Sequence, residues 1–259
     1  MLRTLPFILI AFFLLQPMQG RADDLSFKSA FDKQNKGLFF ESLQAASQIK
    51  TADGYALSAG TRLILVRFVM TEEERLQNID IALADALNAL KIDPRHLQGN
   101  LQAAVGFGLK ARIIDAIENA RKAKFYIDQA LKFYPQSPWA WAANGGWHAE
   151  VVQKAGVLLG AVMFSAKRKI SISSFQKAIQ LSENPIPFYL AYSQTLLRTH
   201  KKEDRVQAYS LLRKTVLLAP QNQLNKIAQQ LAKQLLLALD KQDENKLDQL
   251  LENFATPAG

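Results

Sequence analysis

Three histidines, His96, His148 and His200, are the side chains best suited to moving a proton or holding a metal, and they lie far apart in the sequence. His148 and Glu150 form a close pair of metal-type residues in the central stretch. Two positions apart on a helix they point about 200° from each other, so they cannot share one ion. No H-E-x-x-H pair and no glycine-rich phosphate loop is present. Cysteine is absent, which removes thiolate chemistry and any disulfide framework. A reaction needs several convergent titratable groups, and the sequence names none. It therefore points to a binding protein without cofactor or metal, and an enzyme is the weakest reading.

The densest set of recognition-type residues lies in 138–169. It opens with Trp139, Trp141, Asn144, Gly145, Gly146, Trp147 and His148. His148 has two uses: it fills an aromatic packing position with its ring nitrogens satisfied locally, or it lines a pocket with Trp141, Asn144 and Trp147. In the pocket, Asn144 and His148 supply hydrogen bonds and the indoles supply apolar contact. The two glycines, and Gly156 with Gly160, permit either a bend and close helix approach or the approach of a ligand to the backbone.

Further along, no charge separates Lys154 from Lys167, and Val157, Leu158, Leu159, Val162, Met163 and Phe164 cover more than one face of a helix. Lys167, Arg168 and Lys169 follow. Either neighbouring helices cover this stretch as a second layer of core, or it is an exposed interaction site. An exposed site would serve self-association, a protein partner, or an anionic membrane surface suited to the flanking cations.

The elements that must position these residues are helices. Strand signals are missing, no proline falls between Leu25 and Asp93, and later prolines cluster after helix-period segments. The pattern predicts helices over about 36–49, 54–70, 71–92, 95–110 and 112–134. A central hairpin to about 182 follows, then helices over 187–199, 203–218, 221–239 and 244–254: ten or eleven in all. Thr71 with Glu74 reads as a capping box, and Ser137-Pro138 as a helix start. Leu224, Ile227, Ala228, Leu231 and Leu235 form one stripe.

The segments before the prolines repeat. Ala82, Ala86, Ala89, Leu90 and Pro94 share their spacing with Ala123, Ile127, Ala130, Leu131 and Pro135. Ser171, Phe175, Ala178 and Ile179 form a third copy, and Ala208, Leu212, Thr215, Val216 and Pro220 a fourth. This resembles the second helix of the tetratricopeptide repeat. Trp141, Asn144, Gly145 and His148 occupy the four positions of its first-helix pattern, with Asn144 standing where leucine is usual and therefore needing a partner. Asn100, Ala103, Ala104 and Phe107 match less closely, as do Tyr189, Tyr192, Ser193 and Leu196.

That resemblance implies an all-α solenoid of helical hairpins with a right-handed superhelix, in units of about 53–96, 97–137, 138–185 and 186–222 and with capping helices over 221–254. It also implies a concave binding face lined by Asn100, Phe107, Trp141, Asn144, His148, Tyr189 and Tyr192. The copies are spaced by 41, 48 and 37 residues, against about 34 in the ordinary repeat. The surplus lies between the two matched halves, so it predicts lengthened hairpins projecting from the turns within the repeats.

Residues 1–22 carry Arg3, an apolar core over 5–15, and small residues at Gly20 and Ala22, as in a cleavable export signal. The expected product is one periplasmic domain, 23–259. Of 32 basic residues, Arg3 and Arg21 fall in the leader, leaving 30 against 23 acidic, a formal charge of +7. That excess favours anionic partners, and export separates the chain from nucleic acid. Three basic clusters, Lys110 with Arg112, Lys167 to Lys169, and Lys201 with Lys202 and Arg205, fall near turns within repeats and predict one basic edge. The leading expectation is a non-catalytic scaffold for a protein partner in the envelope. The alternative is an accessory of an envelope transporter that binds a small molecule or lipid, similar in outline to the periplasmic tetratricopeptide-like component of TRAP systems.

Overall fold

The computed structural model describes residues 24–252, so the expected leader over 1–22 and residues 253–259 lie outside the described residues. Those residues form twelve helices and no strand. They are α1 (Leu25–Asn35), α2 (Phe39–Ala46), α3 (Ala52–Phe68), α4 (Glu72–Ile92), α5 (Leu97–Lys110) and α6 (Ala116–Phe133), then α7 (Pro138–Phe164), α8 (Arg168–Leu181), α9 (Ile186–Leu197), α10 (Lys202–Leu217), α11 (Gln223–Asp240) and α12 (Glu244–Glu252). Two compact units share them, 24–140 and 141–252.

In the first unit α1 is the helix that periodicity beside the leader left unassigned. Asp24 caps it, accepting from the N–H groups of Ser26 and Phe27 at 3.0 and 3.1 Å. Gly37, at φ 84°, ends it in the left-handed conformation that glycine adopts without strain. The stripe Phe27, Ala30 and Gln34 is buried, and Gln34 donates to Thr61 on α3 at 2.7 Å. Helix α3 packs against both α4 and α5, and α5 packs against α6. Glu74 reaches back to the N–H of Thr71 at 3.0 Å, completing the capping box read from the sequence. Helix α6 starts at Ala116 rather than near Arg112, because residues 111–114 form a turn and Asp115 takes φ 49°.

In the second unit α9 packs against α8, α10 and α11, and α11 carries α12. Leu224, Ala228, Leu231 and Leu235 are buried on α11, the stripe its 3.6-residue period requires. In both units consecutive helices pair as hairpins. The small residues of the repeated pattern sit at the close contacts: Ala82, Ala86, Ala89, Ala123, Ala130, Ala178, Ala208 and Thr215 are all buried.

The lengthened central helix departs from expectation. Helix α7 is broken at Gly156 (φ 77°, ψ 166°). Beyond the break the chain folds back instead of projecting. A Cβ on Gly160 would lie 3.4 Å from the carbonyl oxygen of Val151, whereas nine residues of continuous helix would put about 13 Å between them. The left-handed Ser165 (φ 54°) then turns the chain into α8.

Candidate functional site

The residues of 138–169 divide into a buried base and an exposed outer face. In the base, Gly145 lets α7 approach α8: a Cβ there would stand 3.0 Å from the Phe175 ring and 3.1 Å from the Ser171 carbonyl oxygen. Asn144 is buried and donates through Nδ2 to Ser174 Oγ at 2.9 Å, the partner its position demands. Its Oδ1 is buried without a partner. His148 is buried, and its Nδ1 accepts the Lys167 N–H at 3.3 Å. The ring of Trp147 meets His148 edge-on at 5.0 Å between centroids, and Phe164 at 6.1 Å. Asn144, Trp147 and His148 thus tie α7 to α8 and hold down the folded-back segment, while Trp141 is half-buried on the same helix.

The outer face of that segment is uncovered. Val157, Leu158 and Val162 are each more than 70% exposed, and Leu159 and Met163 are exposed as well. Phe164 turns inward onto Trp147, and Ala166 is buried. Lys167 and Lys169 are exposed at the start of α8, and Arg168 between them turns to Asp204 in an ion pair at 2.5 Å.

The basic edge read from the sequence is thinner than its residue count suggests. Lys110 pairs with Asp80 at 2.7 Å, and Arg205 forms a two-pronged pair with Glu244 at 2.7 and 2.6 Å. Burial pushes the Asp204 carboxyl up, but hydrogen bonds from Thr199 and Arg168 and the charges of Arg168 and Lys201 outweigh it and leave it below its ordinary range. Lys167, Lys169, Lys201 and Lys202 remain exposed.

The other anticipated residues are dispersed. Asn100 is buried and donates to the carbonyl of His96 at 3.0 Å, within its own helix. Phe107 is half-buried, stacked on Tyr126 at 5.6 Å with Lys122 Nζ over its ring. Tyr189 is half-buried beneath Lys214 Nζ, and Tyr192 is buried, stacked on Phe175 at 5.3 Å and accepting from Gln207 at 3.2 Å. The histidines have local structural duties. His96 caps α5, accepting the Gly99 N–H at 3.0 Å with Asp53 on its other nitrogen, and His200 occupies a left-handed turn at φ 55°. Among the described residues no three His, Cys, Asp or Glu side chains converge on a metal-sized site.

Two features escaped the sequence reading. One is the surface of the α5–α6 hairpin, where Ile113, Ile114, Ile117 and Phe125 are exposed and Phe125 meets Tyr126 edge-on at 5.1 Å. A run of isoleucines at a turn was its signal. The other is a cavity of about 160 Å³ in the second unit, lined by Ala149, Val152, Arg168, Ser171, Thr195 and Thr199 among others. Its residues come from three helices and share no motif, so it had no linear signature.

The family model described as "RMD1-3: Regulator of microtubule dynamics protein 1-3" matches residues 20–240. No curated protein matches the chain.

Proposed function

The chain belongs to the family of regulators of microtubule dynamics proteins 1-3, and from that premise we propose that it is a non-catalytic, tetratricopeptide-like adaptor that binds a protein partner. The buried alanines at repeat spacing and the packing of α3 on both α4 and α5 support the tetratricopeptide reading. The leader, with its export pattern, directs the search for the partner to the periplasm and its envelope.

The observation that carries the reading is the surface of the α5–α6 hairpin. Phe107, Tyr126 and Phe125 form a continuous aromatic ladder whose last ring is 55% exposed, and Ile113, Ile114 and Ile117 are exposed at the turn end of the same hairpin. Rigid aromatic rings with adjoining aliphatic groups are the usual energetic centre of protein interfaces. The test is a photo-crosslinking residue at position 125 in cells. A discrete protein adduct at 125 that is absent when the probe sits at exposed Lys241 supports the adaptor, and no adduct at 125 overturns it.

The alternative, a transporter accessory for a small molecule or lipid, draws on the cavity of about 160 Å³. That volume is below the ~300–1,000 Å³ of typical ligand pockets, so it admits only a very small apolar group. Native mass spectrometry separates the readings: a reproducible ligand mass favours the accessory, and a clean apo mass favours the adaptor.

A further inference from the structure

We propose that the folded-back segment 157–163 is a monotopic docking surface that lies in the interface of an anionic bilayer. This goes beyond the protein-binding reading and uses a different surface. It rests on what the segment displays and on what it lacks.

Its display is wholly aliphatic. Val157, Leu158, Leu159, Val162 and Met163 face solvent within seven residues, and the exposure of Val157, Leu158 and Val162 exceeds 70%. The segment 156–164 contains no polar side chain of any kind. A protein interface of useful size carries about one hydrogen bond per 100–200 Å² and a polar rim that fixes register. The aliphatic face itself offers no side-chain donor or acceptor, and the polar groups at its rim are predominantly cationic. Hydrocarbon asks for none, and apolar burial alone stabilises the bound state.

The charge around it chooses the lipid. Between Glu150 and Glu183 there is no acidic residue, while Lys154, Lys167, Arg168, Lys169 and Lys177 all lie there. Lys167 and Lys169 are exposed where the segment returns to α8. The Arg168–Asp204 ion pair brings the start of α10 alongside, so exposed Lys201 and Lys202 join the same rim with exposed Glu203 beside them, and Lys154 on the other side is paired with Glu150. Each lysine near an anionic surface adds about 1 kcal/mol of attraction.

The anchoring below is rigid enough to present the face. Phe164 packs on Trp147, Gly160 lies on Val151, and Lys167 is held by His148. No single helix among the described residues is long and apolar enough to cross a membrane; α7 and α8, bent 92° from each other, pass the test of length and composition only as a pair. The base of α7 is buried against Ser174 and Phe175 of α8, which leaves the folded-back segment as the apolar face open to a bilayer.

The test exploits the absence of cysteine in the full chain. Leu159→Cys, labelled with an environment-sensitive fluorophore, is mixed with vesicles of equimolar phosphatidylcholine and phosphatidylglycerol. The emission should shift to the blue, while the same label at Lys241→Cys stays unchanged. Because the readout is local to position 159, lipid affinity of the leader does not imitate it. Adding Lys167→Gln and Lys169→Gln should weaken the apparent affinity roughly 30-fold. Adding Leu158→Asp and Val162→Asp should abolish the shift with helicity retained, since both side chains are exposed. Three results overturn the proposal: no shift at 159 on anionic vesicles, an equal shift on phosphatidylcholine alone, or a shift without vesicles that grows with protein concentration. The last would make a second copy of the chain the occupant. The adaptor reading stands or falls separately, on crosslinking at position 125.

Discussion

The backbone N–H of Lys167 donates to Nδ1 of buried His148 at 3.3 Å across 19 residues of sequence. The folded-back segment leaves α7 after Gly156 and is tied down again by a side chain from α7 itself. His148 is the clasp of an apolar flap.

His148→Phe keeps an aromatic ring against Trp147 but removes the acceptor. The variant should remain folded, lose about 1 kcal/mol of stability, and exchange the Lys167 amide and those of 157–166 faster. Hydrogen exchange followed by mass spectrometry checks this. Unchanged protection across 157–167 would show that the Lys167 contact does not hold the flap.

Gly156→Ala tests the break. At φ 77° and ψ 166° the backbone lies in a region that only glycine enters readily, although no atom lies within 4 Å of a Cβ placed there. The cost is therefore conformational, roughly 1–3 kcal/mol. Urea denaturation should show that loss, or the segment should straighten and deprotect Val151.

Asp204→Asn alters the acid limb of stability. The folded-state carboxyl is held below its ordinary value by Thr199 and Arg168 against the opposing effect of burial. A depressed carboxylate contributes stability that is fully present above its unfolded pKa, near 4, and is lost as pH falls through its folded value. The parent should therefore lose stability more steeply than Asp204→Asn as pH falls below about 5. At neutral pH the variant should be less stable by roughly 1–3 kcal/mol, because Arg168 loses its charged partner. Thermal melts across that range measure both effects. Parallel pH profiles would remove Asp204 from the account.

Ala86→Leu tests the close approach of the hairpins in the first unit. Ala86 is fully buried beside Ala59 and Ala103, so three added carbons have no room. The variant should lose about 1–3 kcal/mol, read as a lower urea midpoint with an unchanged slope. A surface substitution such as Lys91→Leu should leave the midpoint nearly unmoved.

Much of the fold was legible because helices announce themselves locally. The 3.6-residue stripe of α11, the Thr71–Glu74 cap, the prolines between hairpins and the buried alanines are consequences of near-neighbour geometry, which linear spacing records. Helix α1 was legible in principle, through Asp24 and the stripe of Phe27, Ala30 and Gln34, but its place beside an apolar leader hid it. Of the candidate site, the sequence drew attention to 138–169 and its uncharged apolar run. It did not assign parts within it: Asn144 and His148 went inward to Ser174 and Lys167, and the aliphatic run went outward.

By itself, then, the sequence determined that this chain is helical and built of paired helices with small residues between them. Only tertiary structure decided which apolar residues are core and which are surface. Gly156 let the chain double back onto Val151 instead of extending a hairpin, and Asp80, Asp204 and Glu244 paired with Lys110, Arg168 and Arg205 from distant helices. Periodicity fixes the direction of a side chain relative to its own helix, but whether anything stands opposite depends on contacts between residues tens of positions apart, which no local pattern encodes.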